Sequence, residues 1–479
     1  MTFSLTHLIG GASVAAARHL PVYDPASGEI HAQCPDGDAA TVAAAVDAAA
    51  QAAPAWSALP ASQRARWLHR LADALEARLE EFARAESQDA GKPLALAREV
   101  EIPRAVSNLR FFAAAATQFA SEAHHGEAGL NYTLRLPLGA VACISPWNLP
   151  LYLFTWKVAP ALAAGNTVVG KPSEITPVTA WMLGELSREI GLPPGVLNIV
   201  HGRGPEVGTA LVEHSSIKAV SFTGSTAVGR RIAAHCGPAL KKMSLELGGK
   251  NPSIVFADAA HPQLHDTLAR AAFQNSGQIC LCGSRLLVHR SRYTEVRDAL
   301  VTRAQALRVG DPLDPATTQG PMVSQAHYDK VLACIQRARD EGGRVLVGGE
   351  RVQLEGRCRD GWFIAPTIIE GLGPDCATNR EEIFGPVVTL QAFDEFDEAI
   401  ALANAGDYGL AANLWTANLD TAHRAAAQLR CGIVWINSWL MRDLRTPFGG
   451  MGASGIGREG GLEAMRFFTE PKNICVALP

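Results

Sequence analysis

Two stretches of this 479-residue chain combine residue types that do chemistry. The first is Phe273-Gln274-Asn275-Ser276-Gly277-Gln278-Ile279-Cys280-Leu281-Cys282-Gly283-Ser284-Arg285. It reads as the end of a helix, a Gly-Gln break, a cysteine in a turn, and a strand starting at Arg285. A thiol at such a break leaves the packed element and can meet a ligand. Inside a helix it would be inert apolar filler, because the reactive species is the thiolate. The second stretch is Lys242-Met243-Ser244-Leu245-Glu246-Leu247-Gly248-Gly249-Lys250-Asn251-Pro252. There Glu246 stands among apolar residues, where desolvation raises a carboxyl toward the working range of a general base. Cys282 offers a possible disulfide or sulfenamide partner under oxidation, with simple packing as the plainer reading.

Two further stretches suit a nucleotide. A strand at 219–222 runs into Thr223-Gly224-Ser225-Thr226-Ala227-Val228-Gly229-Arg230. A glycine turn that opens a helix presents free N–H groups and the positive end of the helix dipole, which suits a pyrophosphate. The spacing is not G-x-G-x-x-G, and a plain β-to-α turn reads as well. In Lys171-Pro172-Ser173-Glu174, just after another strand, Glu174 could accept hydrogen bonds from ribose hydroxyls and would repel a 2′-phosphate. That favours NAD over NADP; the alternative is a surface ion pair between Lys171 and Glu174.

The length asks for two or three domains to position these residues. With 48% hydrophobic and 19% charged residues the composition is that of an ordinary globular protein. A formal net charge of -4 gathers neither nucleic acid nor anionic lipid. The ten cysteines are scattered, which excludes a zinc ribbon and a disulfide framework; no metal is expected, and a reducing, cytoplasmic location is. No signal peptide is visible at the N-terminus. The uncharged run 136–156 has the length of a membrane span, but Pro137, Pro146, Asn148 and Pro150 interrupt it, so it reads as a buried strand and a functional loop, with no membrane partner.

Helices are expected at 38–53, from a Ser62 cap onward, and at 94–118, where Pro103 should kink or restart the helix and re-aim Arg104. The segment 130–136 alternates like a strand pair and reads as an excursion. Apolar runs at 141–144, 167–170, 196–200, 219–222 and 243–245 alternate with helical stretches at 153–164, 178–190, 206–213 and 227–235. This predicts a parallel sheet with helices on both faces and ligands beyond the strands' carboxyl ends. A second α/β unit follows, with strands near 286–288, 345–347, 387–390, 413–415 and 433–436, and helices near 293–306, 325–341, 396–405 and 419–429. The stretch 472–476 reads as an extra strand without a partner of its own, which suggests pairing with another subunit.

Six motifs now fall into register: Ile144-Ser145-Pro146-Trp147-Asn148-Leu149-Pro150, Gly170-Lys171-Pro172-Ser173-Glu174, Phe222-Thr223-Gly224-Ser225, Leu245-Glu246-Leu247-Gly248-Gly249-Lys250, Gly277-Gln278-Ile279-Cys280 and Glu381-Glu382-Ile383-Phe384-Gly385-Pro386. In order and spacing they resemble the aldehyde dehydrogenase superfamily across essentially the whole chain. The resemblance implies NAD(P)-dependent oxidation of an aldehyde, with Cys280 as nucleophile and Asn148 and the Cys280 N–H holding the oxyanion. It implies Glu246 as the base that activates water, and Lys157 and Glu459 as a proton relay. Cofactor contacts are implied at Ile144, Trp147, Lys171, Ser173, Glu174, Gly224, Ser225, Glu382 and Phe384. The implied fold is α/β and aldehyde dehydrogenase-like, with two parallel-sheet α/β domains and a small β-excursion for oligomerisation. Residues 1–125 and 146–249 would form the NAD-binding domain, 250–458 the catalytic domain, and 126–145 with 459–479 the segments of a dimer or tetramer.

The segments Asn437-Ser438-Trp439-Leu440-Met441-Arg442-Asp443-Leu444-Arg445 and Ile102-Pro103-Arg104 resemble the branch that oxidises 2-aminomuconate and 2-hydroxymuconate semialdehydes. Those small-molecule substrates carry a carboxylate remote from the aldehyde, which a guanidinium can grip with two parallel hydrogen bonds. Arg104 and Arg442 are the candidates, with Arg445 as the alternative to Arg442 and interdomain or surface ion pairs as the other reading. Tyr152, Trp156 and Trp439 would complete the substrate site. Betaine aldehyde would instead want an aromatic cage, which Trp147, Trp156 and Trp439 could supply, but nearby Arg442 argues against it. A CoA-acylating enzyme should lack Glu246, and a non-catalytic structural protein has no need of Cys280, Glu246 and Asn148.

Overall fold

The computed structural model describes residues 3–477. Its largest sheet has eight strands in the order Gly455–Ile456, Lys242–Glu246, Ala219–Thr223, Ala140–Ile144, Thr167–Lys171, Leu197–Ile199, His7–Ile9 and Ala12–Val14. The five central strands run parallel, and those at both ends pair antiparallel. Strands such as Ala140–Ile144 and Thr167–Lys171 are buried at every position, as strands covered on both faces must be. The helices Ala61–Ala77, Ile102–Gln118, Pro150–Ala163 and Val178–Glu189 pack on one face. Ala39–Ala58, Thr209–Glu213 and Thr226–Cys236 pack on the other.

A second sheet has seven strands in the order Arg344–Val347, Thr367–Glu370, Val387–Phe393, Gly283–His289, Asn251–Val255, Ala411–Trp415 and Ile433–Ile436. It is parallel except at its first edge. Leu264–Phe273 and Tyr293–Ala306 cover one face, and Phe396–Ala403 and Leu419–Gln428 the other. Two of its strands, Asn251–Val255 and Thr367–Glu370, were not expected. Each is short, and Pro252 in one and Pro366 before the other weaken the strand pattern.

A third sheet joins Ala123–Gly126, Gly129–Pro137 and Thr469–Ala477. It corrects two expectations. The excursion ends at Pro137 rather than 145, because Ala140–Ile144 lies in the middle of the first sheet. The C-terminal strand also has a partner within its own chain, pairing with Gly129–Pro137 from Thr469 to Ala477.

Two helix starts are informative. Ala61–Ala77 begins directly after Pro60 with no side-chain cap, so Ser62 lies inside the first turn rather than capping it. The expected long helix at 94–118 is divided: Leu94–Leu96, a π-helical turn at Ala97–Glu101, then Ile102–Gln118 with Pro103 in its first turn. Proline has no N–H to give to the preceding turn, and the wider π turn absorbs the mismatch. Among the described residues no helix is long and apolar enough to cross a membrane.

Candidate active site

The segment before Cys280 is held in a conformation that its residue types do not favour. The helix ends at Phe273, and Asn275, Ser276 and Gly277 then have φ of 52°, 54° and 69°. Left-handed backbone at two non-glycine residues in succession persists only where neighbours impose it. Here the Asn275 amide donates to the Asn148 carbonyl at 3.1 Å, and the Ser276 hydroxyl donates to the Gly320 carbonyl at 2.8 Å. The Gln278 side chain accepts from Val323 N–H at 3.1 Å. Gly277 is required twice over, since a Cβ there would lie 2.0 Å from the Gly385 carbonyl oxygen. Cys280 follows, half-buried, ahead of the strand Gly283–His289. The Asn148 amide donates to the Gln278 carbonyl at 3.0 Å and is thereby aimed at the cysteine's loop.

Burial pushes the Cys280 thiol well up, the carboxylates of Glu382 and Glu246 and the neighbouring Cys282 push the same way, and Arg442 pulls it down. Without substrate or cofactor the surroundings of the sulfur thus disfavour the thiolate. Glu246 is near enough for its charge to act on the thiol. Burial, then the charge of Glu459, raises the Glu246 carboxyl well above its ordinary range, against Lys157, Arg458 and Arg442. Both Glu246 carboxyl oxygens are buried without a hydrogen-bond partner among the described residues. Gly449 makes room for them, since a Cβ there would lie 2.6 Å from one of these oxygens. Beside them Lys157 Nζ is 2.6 Å from Glu459 Oε1, which also accepts from the Ser221 hydroxyl at 3.0 Å. Lys157 and Glu459 thus lie together as the motifs implied, and Ser221, which no motif flagged, joins them.

Cys280 opens into a cavity of about 330 Å³ whose wall includes Arg104, Tyr152, Trp156, Arg442 and Phe448. Arg104 stacks on the Tyr152 ring at 5.6 Å, and its Nε and Nη2 are buried without a hydrogen-bond partner among the described residues. Arg442 lies over the rings of Phe448 and Trp156, 4.2 and 5.7 Å from their centroids. Arg445 is a poor substitute, being exposed and engaged with Asp443 at 2.6 Å. Trp439 does not line the cavity, contrary to expectation. It is buried behind it, and its indole N–H donates to the Leu281 carbonyl at 2.9 Å, bracing the cysteine's loop. Phe448, Leu440 and Glu101 line the cavity but went unforeseen, because no local pattern says which way a loop side chain turns.

A nucleotide groove fits at the carboxyl ends of the first sheet, where strand order reverses between Ala140–Ile144 and Ala219–Thr223. The hydroxyls of Ser145 and Thr223, which directly follows Phe222 at the end of its strand, are buried without hydrogen-bond partners among the described residues. Ser225 caps the helix Thr226–Cys236, accepting from Val228 N–H at 3.4 Å. Lys171 Nζ lies 3.0 Å from Glu174, whose other oxygen accepts from Gly204 N–H at 3.3 Å. Burial alone would raise the Glu174 carboxyl; Lys171 and these N–H groups outweigh it and keep it low, hence ionised. Ser173 instead turns inward to accept from Ile175 N–H at 3.2 Å. From the second sheet's side, Glu382 accepts from Gly249 N–H at 2.9 Å, and Phe384, with φ of 62°, meets the Trp147 ring edge-on at 5.3 Å. Ile144 ends the strand at the groove's floor.

These features agree with comparison to known proteins. Residues 13–474 match the profile of the aldehyde dehydrogenase family. The chain is 48% identical to 2-aminomuconic semialdehyde dehydrogenase from Bos taurus, covering 98% of each chain. It is 46% identical to 2-hydroxymuconic semialdehyde dehydrogenase from Pseudomonas sp. (strain CF600), covering 99% of each. Its fold superposes on an NAD+ complex of an aldehyde dehydrogenase from Bacillus cereus with a TM-score of 0.96 at 38% identity, over 99% of this chain and 97% of that one. A family profile matched over nearly the whole chain, and relatives at 46–48% identity along nearly their full length, leave one conclusion: the chain belongs to the aldehyde dehydrogenase family.

Proposed function

We propose that the protein oxidises a semialdehyde bearing a distant carboxylate, of the 2-aminomuconate or 2-hydroxymuconate type, to the corresponding acid with NAD. The observation that carries the substrate class is Arg104: a half-buried arginine in the wall of the cavity that holds Cys280, whose Nε and Nη2 are buried with no hydrogen-bond partner among the described residues. An unmet cationic donor of this kind is costly unless an anion completes it. Arg442 supplies a second positive charge in the same cavity.

Glu246 accepts the Cys280 proton and the sulfur adds to the aldehyde carbon. The Asn148 amide and the Cys280 N–H donate to the oxygen as it becomes negative, where preorganised donors act most strongly. Glu174, Lys171, Ser225 and Glu382 would hold NAD, which when bound would supply the acceptor for the hydride leaving this carbon; Cys280 then keeps the acyl group as a thioester. Glu246 then takes a proton from water as its oxygen adds to the thioester, and the acid leaves as the cysteine sulfur is released. Lys157 and Glu459 carry the surplus proton away from Glu246. Glu174, ionised beside the ribose position, supports NAD over NADP.

Betaine aldehyde is the weaker reading, because Arg442 already occupies the faces of Phe448 and Trp156 that a quaternary ammonium would need. We assign the first α/β unit to the cofactor, the second to the nucleophile, and the three-stranded sheet to subunit assembly, since the outer edge of Thr469–Ala477 is free to pair. Ten free thiols suit a reducing, cytoplasmic setting.

The test is NADH formation over a panel of aldehydes with and without a distal carboxylate, for the wild type and for Arg104→Ala. The variant is expected to raise KM about 10-fold or more for the carboxylated semialdehyde and about 2-fold or less for an aliphatic aldehyde of equal length. Equal losses on both would remove the carboxylate assignment.

A further inference from the structure

The helix Leu79–Ala90 ends at Gly91, whose φ of 72° turns the chain and sends Lys92 into the interior. The Lys92 side chain is fully buried, and so is that of Glu86. Nζ donates to Glu86 at 3.4 Å, to Glu101, and to the backbone carbonyl of Asn148 at 3.2 Å, which uses all three of its hydrogens. Glu86 is completed by the Thr179 hydroxyl at 2.7 Å. Glu101 closes the π turn Ala97–Glu101 and lines the cavity of Cys280, with Arg104 a helical turn further on. The Asn148 carbonyl oxygen thus accepts from both Lys92 Nζ and the Asn275 amide, while the Asn148 side chain reaches the cysteine's loop.

An ion cluster this deep is a poor way to gain stability, because desolvating the charges costs about as much as their attraction returns. What such a cluster does supply is a fixed geometry. Two of the Lys92 bonds would serve any helix-to-helix tie, but the third reaches a single peptide, the one that carries the oxyanion donor. We propose that Lys92 is a positioning residue: it holds the Asn148 amide in place and, through Glu101, ties that placement to the wall of the substrate cavity. This rests on the assignment of Asn148 as oxyanion donor.

The test is a double-mutant cycle on kcat/KM for a semialdehyde, with NAD binding followed separately by fluorescence. Lys92→Arg keeps the charge but replaces a tetrahedral set of donors with a planar fork. It is expected to lower kcat/KM by about 10-fold in the wild-type background and by less than about 2-fold in Asn148→Ala, with NAD affinity unchanged in both. Equal losses in the two backgrounds would overturn the proposal, because a merely structural defect does not depend on which side chain residue 148 carries. If Lys92→Arg does not fold, Glu101→Gln, which keeps a hydrogen-bond acceptor for Lys92, is read in the same cycle with the same two outcomes. A full rate in Asn148→Ala alone would refute the oxyanion assignment itself, and the proposal with it, and is recognisable before Lys92 is touched.

Discussion

In the proposed reaction Cys280 and Glu246 divide the chemistry unevenly, and their surroundings say how. Burial raises both groups, so a proton must leave each one before it can act on the substrate or on water. For Glu246→Gln, attack on the aldehyde has a slow alternative route through solvent, but water attack on the thioester loses its base. The intact chain should then carry the mass of the acyl group after one turnover, and a clean steady state with no added mass would contradict the assignment. Arg442 is the charge that draws the thiol down. Arg442→Ala should therefore move the half-point of Cys280 alkylation by iodoacetamide to higher pH, and an unchanged or lower half-point would show that the guanidinium does not act on the sulfur. Both groups drew notice in the sequence through their neighbours, a break next to a thiol and a carboxyl amid apolar residues, but their proposed roles came from the family resemblance. Lys92, Glu101 and Ser221 did not, because a buried polar group acquires its purpose from partners far along the chain. Trp439 shows the same limit from the other side: an aromatic near a site can face it or brace it, and only the fold decides.

At the scale of elements, the alternation of strands and helices was legible because parallel strands buried on both faces are continuous apolar runs. Among the elements that escaped, Asn251–Val255 and Thr367–Glu370 are short and flanked or interrupted by proline, and Gly455–Ile456 has only two residues. The excursion was found but its far end was misplaced, since Leu138 and Gly139 give little sign of where one sheet stops and the next begins. Backbone strain was hidden altogether. Asn275 and Ser276 look like ordinary polar loop residues, yet their left-handed conformations aim Cys280. Gly277→Ala tests this element directly, because the added methyl meets both an unfavourable φ and the Gly385 carbonyl. We expect a loss of more than about 2 kcal/mol of stability by denaturant titration, together with a fall in activity that outlasts any correction for unfolded protein. Wild-type activity per folded molecule would mean that the loop's conformation does not position the nucleophile.

On the scale of the whole molecule, residues from remote parts of the chain meet wherever a strand returns to a sheet already formed. Gly455–Ile456 rejoins the first sheet beside Lys242–Glu246 and thereby brings Glu459 to Lys157. The strand His7–Ile9 does likewise at the opposite side, and there two histidines are buried together, with ring centroids 5.9 Å apart. His7 Nδ1 accepts from His201 N–H at 3.1 Å, while His7 Nε2 and both ring nitrogens of His201 have no hydrogen-bond partner among the described residues. Burial lowers His7 to about 4, partly offset by Asp38, and lowers His201 well below its usual value, with His7 adding to the effect. The sign follows from where the protons go. As pH falls below about 6.5 the unfolded chain takes up protons that the folded chain refuses, so stability declines, and for His7 the decline ends only near pH 4. The full cost of His7 across that window is on the order of 3 kcal/mol. Buried carboxyls such as Glu246 and Glu101 act in the opposite sense, because raised groups gain stability as they protonate in the folded state. Wild type alone would mix the two effects, and a difference separates them. His7→Asn keeps an acceptor for the His201 N–H but does not titrate. Its stability by denaturant titration should fall less steeply than that of the wild type between pH 7 and pH 5, with the two slopes alike above pH 7. Parallel curves throughout would mean that the buried pair does not govern how the assembled sheet tolerates acid.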